Sequence, residues 1–377
     1  MKLIIDASNL RNGGGVTHIV EVLNSIQDQK VLFKKVEIFS NTTTLAKIEN
    51  RDWLTKINHP SLNKGLLDIL IWRFKKFNPY LKTQKETILF NPPGTYTGSF
   101  KPFVVMSHNM LIWDKKERRR FGKFSSLNLK FKLLNKVQKK SFNKSAGIIF
   151  ISNYAKNIIL RQLQGEKINE IIFHGINNRF IQPPKEDVSD ELELLYISNI
   201  IDYKHQVTLL RACLKLYKEG YKFKLNLVGG YHKGYKEEFD KEFNSDDDYT
   251  QFVFYHGKIK FEEIHNFYKK ANAFIFASSC ENMPNILIEA MSSGLPILCS
   301  NYEPMPEFLG ENHPYYFDPT SKQSTYEVVK DFIASDQKLN SAKKSFEKAS
   351  IYNWETCANK TFKFLYNTLE KHNNVEK

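Results

Sequence analysis

Short apolar runs alternate with longer amphipathic stretches from one end of this chain to the other. In the first half the runs Leu3–Ala7, Val36–Ser40, Ile88–Asn91, Val104–Ser107, Gly147–Ile151 and Ile171–Phe173 read as strands. In the second half Leu194–Ile197, Lys224–Val228, Phe252–Tyr255, Ala273–Phe276 and Pro296–Cys299 do the same. Helical periodicity fills the intervals, so the pattern predicts parallel sheets covered by helices on both faces, an α/β architecture. A polar, proline-bearing connector, Gln182–Asp187, divides the chain into two doubly wound domains. After the second set of strands, Ser350–Leu369 forms a last amphipathic helix, and the polar tail from Glu370 is expected to fray. Asn244–Asp248 reads as an acidic loop.

Composition sharpens this picture in three places. A length of 377 residues with 41% hydrophobic content suits two cores. No apolar run approaches the roughly 20 residues of a spanning helix, and Met1–Asp6 reads as a first strand, being too short in its apolar core for a signal peptide. Cys213, Cys280, Cys299 and Cys357 lack paired metal-ligand spacing and fit buried thiols in a reducing cytoplasm. Charge is uneven: residues 1–190 hold 32 Lys and Arg against 15 Asp and Glu, whereas residues 191–377 hold 23 against 26. The basic half implies an anionic partner, and a phospholipid surface, a lipid-linked phosphate or a nucleic acid would each serve.

Candidate chemistry concentrates between Cys280 and Pro296. Pro284 suits a first helical position, and Gly294 with Pro296 marks the helix end. Glu281 is then placed in a loop and Glu289 about one and a half turns into the helix, some 8 Å further along the axis at ~1.5 Å per residue. The Asn282–Pro284 amides between them stand at the positive end of the helix, where phosphate is favoured. Carboxylates hold hydroxyls and amides hold phosphate, and a nucleotide-sugar offers both. Elsewhere, Arg11–His18 is a glycine-rich loop (Gly13, Gly14, Gly15) opening a helix, another place for a backbone to approach a phosphate. His108 follows the strand Val104–Ser107, at the carboxyl end where ligands of open sheets bind. The segment Lys115–Lys144 contains twelve Lys and Arg and one acid, Glu117, interleaved with apolar residues at roughly helical spacing. It reads as a basic amphipathic helix for anionic lipid, with Leu66–Lys82 as a second candidate and a solvated helix face as the plainer alternative.

The string Glu281, seven residues, Glu289, then Ala290-Met291, Gly294 and Pro296 resembles the signature of glycosyltransferase family 4. His108-Asn109-Met110-Leu111 is similar to a string of a polysaccharide-locus subgroup of that family, with Ile112 and Trp113 standing for its Pro and Phe. The resemblance implies a GT-B fold: two Rossmann-like domains (1–184, acceptor side; 185–349, donor side) facing a cleft, and a terminal helix (350–377) crossing back to the first. It implies a retaining, metal-independent glycosyltransferase with no cofactor, moving a sugar from a nucleotide-sugar to a lipid-linked or growing saccharide acceptor. By the same resemblance His108 orients the donor sugar, Lys204 neutralises the leaving diphosphate, Glu281 serves the transferred sugar and Glu289 the ribose. Gly14, Gly15, Asn282, Met283, Pro284 and Asn285 flank the diphosphate, Gly229 lines the donor pocket, and backbone near Lys258 and Ile259 pairs with the base. The family's arginine position falls on Ser198, so the two-cation clamp is incomplete here. O-antigen- or capsule-like assembly on the inner face of the cytoplasmic membrane is the implied setting, with Lys115–Lys144 as the membrane contact. A nucleotide-sugar epimerase of the same architecture and, less well, a basic nucleic-acid-binding protein are the alternatives; no nucleic acid is expected as partner.

Overall fold

The computed structural model describes residues 1–11, 13–186, 192–232 and 234–375. Asn12 of the glycine loop and Asp187 of the connector lie outside the described residues. Two compact units are formed. The first comprises Met1–Trp113, Phe124–Gly175 and Tyr352–Lys377, and the second Asp114–Lys123 and Ile176–Ile351.

The first unit is built on seven parallel strands: β1 (Lys2–Asp6), β2 (Lys35–Phe39), β3 (Leu54–Ile57), β4 (Thr87–Asn91), β5 (Phe103–Met106), β6 (Gly147–Phe150) and β7 (Asn169–Ile171). Their order is β3-β2-β1-β4-β5-β6-β7, with Ile5 opposite Ile38 and Ile4 opposite Leu89. The second unit has six: β8 (Leu192–Ile197), β9 (Phe223–Val228), β10 (Val253–Tyr255), β11 (Ala273–Phe276), β12 (Ile297–Ser300) and β13 (Tyr316–Phe317). They run parallel in the order β10-β9-β8-β11-β12-β13. Both sheets therefore reverse direction of growth beside their first strand, at β1/β4 and at β8/β11, and in doubly wound sheets the crevice beyond the carboxyl ends at that point is where ligands bind.

Central strands such as Ala273–Phe276 are wholly buried, as continuous apolar runs covered on both faces should be. Two strands escape the sequence pattern. β3 (Leu-Thr-Lys-Ile) and β13 (two residues) are edge strands with one neighbour each, so half their surface needs no apolar residue. The last helix runs Trp354–Val375 and packs on the helix Gly14–Ser25 of the first unit. It continues past Glu370, where fraying was expected, to Val375, and the Tyr366 hydroxyl meets Glu370 one turn on.

The basic segment requires correction. Lys115–Lys144 is two helices, Lys115–Arg120 and Ser126–Lys144, and they belong to different units. Gly122 at φ 87° ends the first, and the Ser125 hydroxyl caps the second by accepting from Asn128 N at 3.1 Å. In the shorter helix Glu117 and Arg118 are buried, and Arg120 pairs with Glu117 at 2.7 Å. Six of the twelve cations thus belong to the second unit, where Arg118 is buried and Arg120 half-buried while Lys115, Lys116, Arg119 and Lys123 stay exposed.

Candidate functional site

Beyond β8 the chain passes Ser198 and makes a single tight turn, Asp202–Lys204, that ends on His205 at φ 50°, ψ 33°. A left-handed conformation is uncommon for a residue with a Cβ and persists only where its surroundings enforce it. Here the enforcement is visible: His205 Nε2 lies 2.9 Å from the Ser279 hydroxyl, the Tyr196 hydroxyl donates to Lys204 O at 2.7 Å, and Ser279 N donates to Tyr203 O at 2.9 Å. The result turns Lys204 inward. Its ammonium forms an ion pair with Glu281, which lies beyond β11, and it sits 4.9 Å from the Phe276 ring centre. Ser278 donates to the same Glu281 oxygen at 2.6 Å. Two of the sequence-predicted residues therefore meet at the β8/β11 switch point, in a largely buried pair.

Ser279 carries the support one layer outward by donating to buried Glu117 at 2.7 Å. Arg120 acts electrostatically on both Asp202 and His205. Burial, followed by the Arg120 charge, brings His205 down to about 4, so its ring is neutral near pH 7. Burial also pushes the Cys280 thiol up, which makes it an inert neighbour.

Ser198 is buried and accepts from Gln206 Nε2 at 2.8 Å, so the position is a neutral hydroxyl tied to the helix Gln206–Lys218. Gly229, at φ 145°, passes directly over the Ser198 carbonyl, and a Cβ there would overlap that oxygen. Gly230 adjoins Lys258, which is exposed, and Ile259 is half-buried beside it. These elements share the carboxyl-end loops of β8, β9 and β10.

The helix of the signature starts one residue later than the sequence predicts: Pro284 is the cap, making no side-chain hydrogen bond of its own, and Asn285–Ser292 the helix. Asn282, Met283 and Pro284 are buried. Glu289 is half-buried and accepts from the Tyr268 hydroxyl at 3.0 Å. Desolvation of its carboxyl raises the pKa to about 7, against a smaller lowering by Tyr268.

In the first unit, Gly13 (φ 73°) caps the helix that Gly14 and Gly15 begin. His108, beyond β5, stands in a cluster with His18 (5.3 Å between ring centres) and His174 (5.7 Å), and Trp354 stacks on His174 at 5.5 Å. Burial lowers His108 to about 4 and His18 well below its ordinary value, so both imidazoles are neutral. Among the described residues, neither ring nitrogen of His18 has a hydrogen-bond partner, nor does His108 Nε2. Among the described residues, no group of three or more His, Cys, Asp or Glu is placed to hold a metal ion.

Sequence reasoning missed Ser278, Tyr268, Glu117 and His18 as parts of this machinery. Ser278, three residues before Glu281, was within reach of inspection; Tyr268 and Glu117, 21 and 162 residues from their partners, were not.

Residues 177–349 match the family described as Glycosyl transferases group 1. Protein CapJ of Staphylococcus aureus is 25% identical over 224 residues, 58% of this chain and 52% of that protein, so the chain spans about half the length of that curated relative. The O-antigen chain mannosyltransferase B of Escherichia coli is 27% identical over 108 residues, 28% of each chain. Among solved structures, Anabaena Alr3699/HepE in complex with UDP and glucose superposes with a TM-score of 0.69 at 14% identity, over 96% of this chain and 98% of that one. The two parallel Rossmann-like sheets are thus those of the GT-B glycosyltransferase fold, and most of the second unit matches the Glycosyl transferases group 1 family.

Proposed function

We propose that this chain is a retaining, family-4-like glycosyltransferase that moves a sugar from a nucleotide-sugar to a lipid-linked or growing saccharide acceptor during polysaccharide assembly. The observation that carries the reading is the buried Lys204–Glu281 pair at the β8/β11 switch point, beside the start of the 285–292 helix. The chemistry must stabilise a departing diphosphate while positive charge develops at the sugar. Lys204 and the backbone of Asn282–Asn285 supply fixed positive potential for that within the second unit, independently of a metal, and the helix start at Gly14 and Gly15 offers the same in the first. With the donor bound, the diphosphate competes with Glu281 for Lys204 and frees that carboxylate to accept sugar hydroxyls. Glu289 takes the ribose hydroxyls, Ser198 and Gly229 floor the pocket, and backbone beside Lys258 and Ile259 meets the base. His108, kept neutral by its burial in the first unit, is able to donate or accept one hydrogen bond.

The family match over the second unit, the UDP and glucose of the superposed Anabaena protein and the O-antigen relative all favour this reading over a nucleic-acid binder. The setting is peripheral, on the inner face of the cytoplasmic membrane, with the Ser126–Lys144 helix as its basic contact. A panel of nucleotide-sugars tested by thermal stabilisation examines the proposal. One donor should raise the melting temperature, and Glu289→Ala should weaken nucleoside-diphosphate binding at least tenfold, since hydrogen bonds to a charged acceptor are worth about 1.5–3 kcal/mol each. No stabilisation by any donor would defeat the reading, and conversion of a donor to its epimer without acceptor would replace it.

A further inference from the structure

The helix Leu66–Trp72, which continues through a π-turn over Arg73–Phe77 into Asn78–Lys82, is apolar on two opposite sides. Its inward side is fully accounted for: Ile69, Trp72, Phe77 and Leu81 are buried, Trp72 stacks on Phe77 at 5.0 Å, and Phe39 of β2 meets both rings. Its outward side carries Leu66, Leu67, Leu70, Ile71 and Phe74, each 47–76% exposed. The spacing i, i+1, i+4, i+5, i+8 makes these five one stripe. A helix anchored by one apolar side should present polar residues to water on the other. Single exposed hydrophobes need no explanation, but a contiguous stripe does.

Charge identifies the occupant. Exposed Lys64, Lys75 and Lys76 border the stripe, and from Trp53 to Lys85 the chain has seven Lys and Arg against one acid, Asp68. A second copy of the chain would bring these cations against their own counterparts, whereas anionic headgroups complement them. Apolar side chains at the acyl boundary with lysines at the headgroups is the arrangement of an interfacial helix. The same unit repeats the chemistry on the Ser126–Lys144 helix, where Leu129 and Leu133 are exposed beside Lys130, Lys132 and Lys136. We infer that the Leu66–Phe74 stripe is a lipid-docking face that inserts into an anionic bilayer. This moves the principal membrane contact away from Lys115–Arg120. The docking deepens the proposed function, on which it rests only for its purpose: bringing the enzyme to an acceptor carried on lipid.

The test uses the full chain with phosphatidylcholine vesicles, with and without phosphatidylglycerol. The wild-type protein should sediment with the anionic vesicles and much less with the neutral ones. The quadruple variant Leu67→Ser, Leu70→Ser, Ile71→Ser, Phe74→Ser should lose at least tenfold in partitioning at any salt concentration. Lys75→Gln with Lys76→Gln should lose about thirtyfold at low salt, from about 1 kcal/mol per cation near the surface, and little at high salt. Both variants keep the buried side of the helix, and an unchanged melting temperature verifies that they fold. Sedimentation of the quadruple variant equal to wild type, or equal binding to neutral and anionic vesicles, overturns the inference. So does a wild-type dimer that the quadruple variant converts to monomer with vesicle binding intact. Failure of the nucleotide-sugar panel with docking preserved removes the enzymatic reading alone.

Discussion

Replacing Glu289 by glutamine isolates the cost of a desolvated carboxylate in the second unit. The carboxyl titrates at about 7 in the folded protein against an ordinary 4.5, a difference of about 2.5 pH units. At ~1.36 kcal/mol per unit, ionising Glu289 in the fold costs at most about 3 kcal/mol, and the residue's remaining solvent contact reduces this to about 2. The sign follows from linkage. The folded pKa is the higher one, so the stability contribution is complete below the unfolded pKa near 4.5 and is lost as pH rises through 7. Glutamine keeps an oxygen for the Tyr268 hydroxyl and never ionises. Urea midpoints of the two proteins should therefore nearly coincide at pH 5, and at pH 8 the variant should be the more stable by about 2 kcal/mol. Comparing proteins of identical domain structure removes the contribution of every other titrating group. Stability curves that stay parallel from pH 5 to pH 8 would show that Glu289 is solvated like a surface carboxylate, and the argument for a dry ribose-binding position would go with it.

Two further outcomes follow from the Lys204–Glu281 pair. Lys204→Ala should reduce kcat by about 10²-fold or more, the usual effect of removing one preorganised charge-stabilising group, while excess EDTA leaves wild-type turnover largely intact; activity that stops in EDTA and returns with Mn²⁺ would refute the assignment. Glu281→Gln releases Lys204 from its carboxylate, so calorimetry should find nucleoside-diphosphate affinity unchanged or higher even as sugar transfer falls at least tenfold, about the value of one charged hydrogen bond; weaker diphosphate binding would count against the exchange of partners.

Much of the scaffold was legible because a strand covered on both faces must be apolar throughout. Ala273–Phe276 and Leu194–Ile197 declare themselves this way, whereas edge strand β3, Leu-Thr-Lys-Ile, has two polar residues in its middle and reads like any surface segment. The same logic governs the site. Glu281 and Lys204 each sit in a recognisable local string, but their meeting joins residues 77 apart across a turn that ends on the left-handed His205, a conformation uncommon for a residue with a Cβ. The basic run was misread as one helix because its composition reports charge and not direction. The break was present in the sequence, as Gly122 and the capping residue Ser125, and outweighed the apparent continuity of the lysines.

The path of the chain between the two units has a consequence for anyone who would cut it. It leaves one for the other after Trp113, Lys123, Gly175 and Ile351, so no single breakpoint yields either unit entire. A fragment ending at Gly175 loses Trp354 from beside His174 and Phe364 from beside Gly147 of β6. A fragment beginning at Ile176 loses Glu117, the acceptor for the buried Ser279 hydroxyl. Chimeras that exchange the second unit must therefore carry residues 114–123 along with 176–351 and leave 352–375 behind with the first unit.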